Sequence, residues 1–119
     1  MTTKIISRLQ EAKINGTGIQ QEIADDVLSY YPTDAEVKSF FHDLLNYGCV
    51  SGLISSLIYY TDTHAFFDRH YDEIEELRFE YEQGTGESLR IESDLKNTLA
   101  WFAFEETARR LAGELGIEV

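Results

Sequence analysis

Residues 72–82 of this 119-residue chain read DEIEELRFEYE, an acidic stretch laid over a helical pattern. The stretch carries six carboxylates and one arginine. The apolar residues in and beside it recur at helical spacing: Tyr71, Ile74, Leu77 and Tyr81. Because residues three and four apart share one face of an α-helix, the spacing predicts a helix that buries an apolar seam. The same helix would present a dense row of negative charge to solvent.

The segments before the acidic stretch also show helical periodicity, and none alternates with the period of two that is typical of a β-strand. Helices are predicted over residues 3–13, 18–30, 34–47 and 51–60. Thr33 and Glu36 have the spacing of a capping box at the start of the third helix, just after Pro32. Residues 51–60 are apolar around most of the circumference, which predicts a helix at the centre of the fold. A buried strand is the alternative there.

The remaining segments predict an all-α, compact bundle of about six helices. The acidic helix follows a continuation or kink near His70 and ends at residues 84–86, where two glycines occur. A cap at Ser93 or Asp94 starts the last helix, which is predicted to end at about residue 111. Residues 88–91 are compatible with a short extended segment that has no evident pairing partner.

The composition is strongly acidic, with 22 acidic against 10 basic residues and a formal net charge of −12. No linker or internal repeat divides the chain, so residues 1–119 are predicted to form a single acidic helical domain. A nucleic-acid binder needs cations to displace counterions from phosphate, and an anionic membrane surface would repel this chain. We therefore expect no direct nucleic-acid partner and no membrane partner. A basic protein surface is the predicted partner.

Cysteine content and the N-terminal residues indicate the compartment. Cys49 is the single cysteine and cannot form an internal disulfide, so an oxidising compartment is not indicated. The N-terminal MTTKIISRLQ lacks the apolar run of a signal peptide, and no stretch approaches the ~20 apolar residues of a membrane span. We expect a cytoplasmic protein. The role of Cys49 and the choice between monomer and homodimer stay open.

The chain shows no motif that is typical of an enzyme. His64 and Asp68 share a helix face, as do His70 and Glu73, but two ligands are too few for a metal site. We therefore predict no catalytic residue, no cofactor and no metal. An enzyme remains an alternative if a concave pocket holds His42, Cys49 or Glu105 with a strongly shifted pKa.

Two blocks resemble a known family. LIYYTDTHAFFDRHYDEI (residues 57–74) and NTLAWFAFEETARRL (residues 97–111) resemble the best-matched blocks of a family of small, uncharacterised domains from phages, plasmids and other mobile elements of bacteria. The resemblance covers about residues 44–111 and transfers no catalytic or binding residue. It implies a genomic setting in which accessory genes often encode inhibitors of host defence, such as anti-CRISPR and antirestriction proteins. Many of those are small, acidic and enzymatically inert.

The acidic row suggests what such a protein would do. In a helix, Asp72, Glu76 and Glu80 stack at roughly 6 Å of rise per step, close to the phosphate repeat of a nucleic-acid strand. Our hypothesis is a phage or mobile-element inhibitor, a DNA mimic that blocks the basic channel of a host CRISPR–Cas or restriction effector. The predicted partner-binding residues are Asp68, Asp72, Glu73, Glu75, Glu76, Glu80 and Glu82, with Asp62 as an extension of the row. The simpler interpretation of the row is a solvated face that maintains solubility.

A second hypothesis assigns binding to aromatic side chains. A non-enzymatic adaptor or regulatory protein would dock through an aromatic surface that includes Tyr59, Tyr60, Trp101 and Phe104. Its binding would persist at about 0.5 M salt, where screening weakens the attraction between exposed charges.

Overall fold

The computed structural model of the chain describes residues 4–47, 63–91 and 94–117. Six helices lie in these ranges: α1 (Lys4–Asn15), α2 (Gly18–Tyr30), α3 (Asp34–Tyr47), α4 (Thr63–Arg69), α5 (Tyr71–Thr85) and α6 (Leu95–Leu115). No strand occurs in the described ranges, residues 88–91 included, so the all-α prediction is confirmed. The kink expected near His70 is the break between α4 and α5. The helix predicted over residues 51–60 lies outside the described residues.

Side-chain caps start α2 and α3. A reciprocal capping box opens α2, in addition to the one predicted at α3: the Thr17 hydroxyl accepts from the Gln20 amide, and the Gln20 side chain accepts from the Thr17 amide. At α3, the predicted Thr33 cap accepts from the Glu36 amide at 3.2 Å. The Glu36 carboxylate accepts from the Thr33 hydroxyl instead of from a free amide. The capping box at α3 is therefore only half formed.

The last helix, α6, runs further than predicted. Asp94 caps its start, where the Asp94 carboxylate accepts from the Asn97 amide at 3.1 Å. The helix ends at Leu115 instead of near residue 111. A glycine inside a helix costs about 1 kcal/mol, so Gly113 by itself favours fraying of this end of the helix. Burial of Leu115 and of Ile117 just beyond the helix offsets that cost. Gly116 ends the helix in the left-handed region, at φ 79°.

The hydrophobic core is organised around α6, which packs against each of the other five described helices. Its apolar core side chains are at most 2% exposed, and four of them are alanines that let the neighbouring helices approach closely: Leu99, Ala100, Ala103, Phe104, Ala108, Leu111, Ala112 and Leu115. Leu95 is 47% exposed, because it lies in the first turn of α6, beyond the end of the core. None of the described helices combines the length and apolarity that crossing a membrane requires.

Candidate binding surface on the acidic helix

The apolar seam of α5 exists but is narrower than predicted. Ile74 and Leu77 are 0% and 7% exposed, and they pack into the core. Tyr71 and Tyr81, predicted to share this burial, are 51% and 37% exposed, because their positions lie at the edges of the seam. The ring of Tyr81 is held by an edge-to-face contact with Phe102, at 5.4 Å between centroids.

Opposite this seam, an aromatic ring lies among the carboxylates. Phe79 is 63% exposed. Asp72, Glu76 and Phe79 are spaced by four and three residues, so they project from the same side of the helix. Within the described part of the chain, neither Asp72 nor Glu76 has a hydrogen-bond or ion-pair partner. We call these three residues the outer face of α5.

Glu73 points away from the outer face. Its carboxylate accepts a hydrogen bond from the backbone amide of Ile19, at 3.1 Å, in the first turn of α2. The first amides of a helix have no partner within the helix, and a carboxylate there also compensates the positive end of the helix dipole. Glu73 therefore joins α5 to α2.

Arg78 lies between two of the predicted binding residues. Its guanidinium is 4.0 Å from the Glu75 carboxylate and 3.5 Å from the Glu82 carboxylate. Glu82 also accepts from the backbone amide of Leu89, at 2.9 Å, and so fixes the segment that follows α5. Glu82 therefore has two partners that stabilise the fold, whereas Glu75 has only a long contact and is partly exposed.

Two further carboxylates of the predicted row pair with cations of α6. Glu80 lies 2.9 Å from Arg110, which also contacts Glu106 at 3.2 Å. Asp68 lies 2.9 Å from Lys96. With Glu73, Glu75 and Glu82, five of the seven predicted binding residues thus have partners inside the domain. The continuous unpaired row that the sequence suggested is reduced to Asp72 and Glu76.

A charged cluster at the α4–α5 junction sets the direction of α5. Arg69 donates two hydrogen bonds to Glu22 of α2, at 2.8 and 2.9 Å, and His70 contacts the same carboxylate. Burial favours a higher pKa for Glu22, but hydrogen bonds from Arg69 and His70 and the charges of both lower it to about 2. The side chain of His70 is only 9% exposed. Gly18 gives the ring room, because a Cβ there would lie 3.1 Å from His70 Nδ1.

One carboxylate near this cluster is poorly satisfied. The Oδ2 atom of Asp26 is buried without a hydrogen-bond partner in the described ranges. Burial raises the pKa of Asp26, and the neighbouring charges of Asp25 and Glu22 raise it further. The ionised side chain of Asp26 therefore destabilises the folded state.

The catalytic candidates that lie in the described ranges do not converge. His42 and Glu105 are exposed on different helices, and Cys49 lies outside the described residues. His64 pairs with Asp94 at 2.8 Å, so it does not share a ligand site with Asp68. Among residues 4–47, 63–91 and 94–117, no three His, Cys, Asp or Glu side chains are arranged to hold a metal ion.

The aromatic docking surface of the second hypothesis is only partly present. Phe104 is 1% exposed and belongs to the core, so its predicted docking role is wrong. Trp101 is half-buried and contacts Phe104 edge-on, at 6.3 Å between centroids. Tyr59 and Tyr60 lie outside the described residues, as does Asp62.

Comparison with known protein families identifies the family of this chain. A family model described as Domain of unknown function (DUF7222) matches residues 19–117. The chain belongs to this family. The DUF7222 match contains both blocks on which the resemblance was based and extends beyond residues 44–111. The family description assigns no activity. No curated protein and no solved structure gives a significant match to this DUF7222 domain.

Phe79 is not among the binding residues predicted from the sequence. A signal was present, because Phe79 falls outside the seam of Ile74 and Leu77 and lies seven residues after Asp72. An apolar residue on the polar side of an amphipathic helix indicates either a tertiary contact or a docking position. The exposed ring favours docking.

Proposed function

We propose that this DUF7222 domain binds a basic protein surface through the outer face of α5. The observation that carries the proposal is the 63% exposed ring of Phe79, on the same side of the helix as the unpartnered carboxylates of Asp72 and Glu76. A single exposed apolar side chain is common on protein surfaces. An aromatic ring flanked by unpaired charges of one sign has the composition of a small binding site, with an anchor and a polar rim.

The chemistry of the partner follows from this composition. Phe79 requires an apolar pocket, and the carboxylates of Asp72 and Glu76 require lysine or arginine at its rim. The net charge of −12 would accelerate association with such a surface and would make the association rate fall with salt. Burial of the Phe79 ring would add a contribution to the bound state that ions do not screen.

We propose inhibition of a host defence nucleoprotein as the setting, with anti-CRISPR activity first and antirestriction second. The domain would occupy the basic nucleic-acid channel of the effector in the bacterial cytoplasm and block it sterically and electrostatically, without turnover. The support is the acidic balance of the chain, the outer face of α5 and the resemblance to domains of mobile elements. Phosphate mimicry along the whole row contributes less, because most of its carboxylates are paired internally.

The adaptor hypothesis is favoured by one observation, the exposure of Phe79 itself. For an adaptor, burial of the Phe79 ring would supply most of the binding free energy, and the partner protein need not bind nucleic acid. Salt distinguishes the two functions: an adaptor complex persists at about 0.5 M salt, whereas a charge-led complex weakens strongly.

A transformation assay tests the inhibitor function. Bacteria with an active CRISPR–Cas or restriction system would express the domain and receive a plasmid that the system targets. We expect higher transformation with the parent domain, loss of this gain with D72K/E76K, and retention with the matched control E87K/E105K. The control reverses two exposed carboxylates away from the outer face.

Two results would contradict the proposal. Absence of any gain across a panel of defence systems would remove the inhibitor setting. Equal loss in both double variants would show that total charge, and not the outer face of α5, is responsible.

A further inference from the structure

Unpaired cations collect at one end of the bundle. A cleft of about 430 Å³ lies where the first turns of α1 and α3 meet the C-terminal end of α6, and its lining includes Lys4, Arg8 and Lys38. These three side chains are exposed, and none has an ion-pair or hydrogen-bond partner in the described ranges. The cleft is remote in sequence from α5.

Elsewhere in the domain, most of the basic side chains are neutralised. Five of the ten lysines and arginines form ion pairs: Lys13, Arg69, Arg78, Lys96 and Arg110. Three of the five that remain line this one cleft, in a chain with more than twice as many acidic as basic residues. The concentration of unpaired positive charge is therefore local.

The one carboxylate in the cleft is already engaged. Asp34 lies in the first turn of α3, and its two oxygens accept from the backbone amides of Ile5 and Ile6, at 3.2 and 3.0 Å. These bonds satisfy free amides at the start of α1 and join α1 to α3. With three cations against this one carboxylate, the lining of the cleft keeps an excess of positive charge.

Arg8 lies beside the C-terminal end of α6. Its Nη1 atom lies 3.4 Å from the point that a Cβ on Gly116 would occupy, so the guanidinium rests beside the end of α6. Arg8 also lines an adjoining cleft of about 420 Å³ that contains Glu11 and Glu114. The guanidinium thus lies at the boundary between a basic and an acidic cleft.

We propose that the cleft of Lys4, Arg8 and Lys38 binds a small molecule that carries a phosphate group. A phosphate is multiply charged and offers several acceptor oxygens, and a guanidinium binds two of them at once. The volume lies within the range of small-molecule sites. A long polyanion would meet the acidic remainder of the domain, whereas a compact anion stays within a Debye length of about 10 Å of the three cations.

This site is independent of the outer face of α5. Reversal of Asp72 and Glu76 leaves the cleft intact, and neutralisation of Arg8 and Lys38 leaves the outer face intact. Failure of one proposal therefore does not imply failure of the other.

Titration with inorganic pyrophosphate, followed by amide chemical shifts at low ionic strength, tests the site. We expect saturable shifts at the starts of α1 and α3. The double variant R8Q/K38Q should bind at least about tenfold more weakly, since it removes two charge-assisted contacts. The matched control is R90Q, which removes one of the two unpaired cations outside the cleft and should leave the affinity unchanged. Single variants R8Q and K38Q serve if the double variant fails to fold.

Four outcomes would overturn the proposal. Chemical shifts that do not saturate would indicate general charge attraction. A loss of affinity in R90Q as large as in R8Q or K38Q would indicate the same. Equal affinity for citrate would remove the assignment to phosphate. Tighter binding of a single-stranded oligonucleotide at the same cleft would identify a nucleic-acid site instead of a small-molecule site.

Discussion

Glu22 and Arg69, 47 positions apart in the chain, form an ion pair with two hydrogen bonds, from Nε at 2.8 Å and from Nη2 at 2.9 Å. The pair joins α2 to the end of α4, and His70 adds a third contact to the same carboxylate. Because α5 begins at the next residue, this cluster sets the direction in which the outer face of α5 projects.

Replacement of Glu22 by glutamine should lower the free energy of unfolding by about 2 to 3 kcal/mol. The substitution keeps the shape but leaves His70, 9% exposed, without its anionic partner. Urea denaturation measures the loss. The matched control is D25N, which breaks the exposed ion pair of Asp25 with Lys13 and should change stability by less than about 0.5 kcal/mol. Equal losses in the two variants would contradict a special role for the cluster.

Stability should fall in acid through Glu22. The pKa of Glu22 is 4.5 for a free side chain, as in the unfolded protein, and about 2 in the folded protein. As the pH falls, the unfolded chain therefore takes up the proton first. The stabilisation, on the order of 3 kcal/mol, is complete above about pH 5 and is lost progressively towards pH 2. Denaturation midpoints across this window should decline for the parent and less steeply for E22Q. Parallel curves would refute the assignment.

Replacement of Asp26 by asparagine should stabilise the protein at neutral pH by about 1 kcal/mol. The pKa of Asp26 is raised by burial and by the charges of Asp25 and Glu22, so the ionised form opposes folding above that pKa. The gain should vanish in acid, where Asp26 is protonated in both states. Thermal melts at pH 7 and pH 3 check both parts, and destabilisation at pH 7 would show that the carboxylate has a partner in solution.

Replacement of Glu73 by glutamine should cost about 1 kcal/mol, because its carboxylate caps α2 through the Ile19 amide. E76Q is the matched control on the same helix and should be neutral, since Glu76 is exposed without a partner in the described ranges. Differential scanning calorimetry of the two variants gives the comparison. For this reason a charge reversal that includes Glu73 or Glu80 would disturb the fold as well as the surface, and D72K/E76K is the cleaner test of binding.

Truncation of Phe79 and of Phe66 should change stability by very different amounts. F79A should change stability by less than about 0.5 kcal/mol, since the ring is 63% exposed. F66A should cost about 3 to 5 kcal/mol, since that ring is fully buried in the core. Chemical denaturation measures both effects. A large loss in F79A would show that the ring is covered in solution, and the proposed anchor would then be a packing residue.

Much of the helical pattern was predictable, because helix formation depends on neighbours three and four positions apart. The bounds of α2, the break at His70 and the end of α5 near Gly84 to Gly86 all follow from local signals. The extension of α6 to Leu115 did not, because burial of residues at its end outweighs the local cost of Gly113.

The candidate surface was predictable only in outline. The sequence by itself determined an acidic α5 with one buried seam, since charge and periodicity are local properties of the chain. Only the tertiary structure decided which carboxylates are available for binding. Glu80 pairs with Arg110, Asp68 pairs with Lys96, and Glu73 accepts from the Ile19 amide, and all three partners are distant in sequence. The same packing buries Phe104 and leaves Phe79 exposed, because burial depends on which helices meet and not on the identity of the side chain.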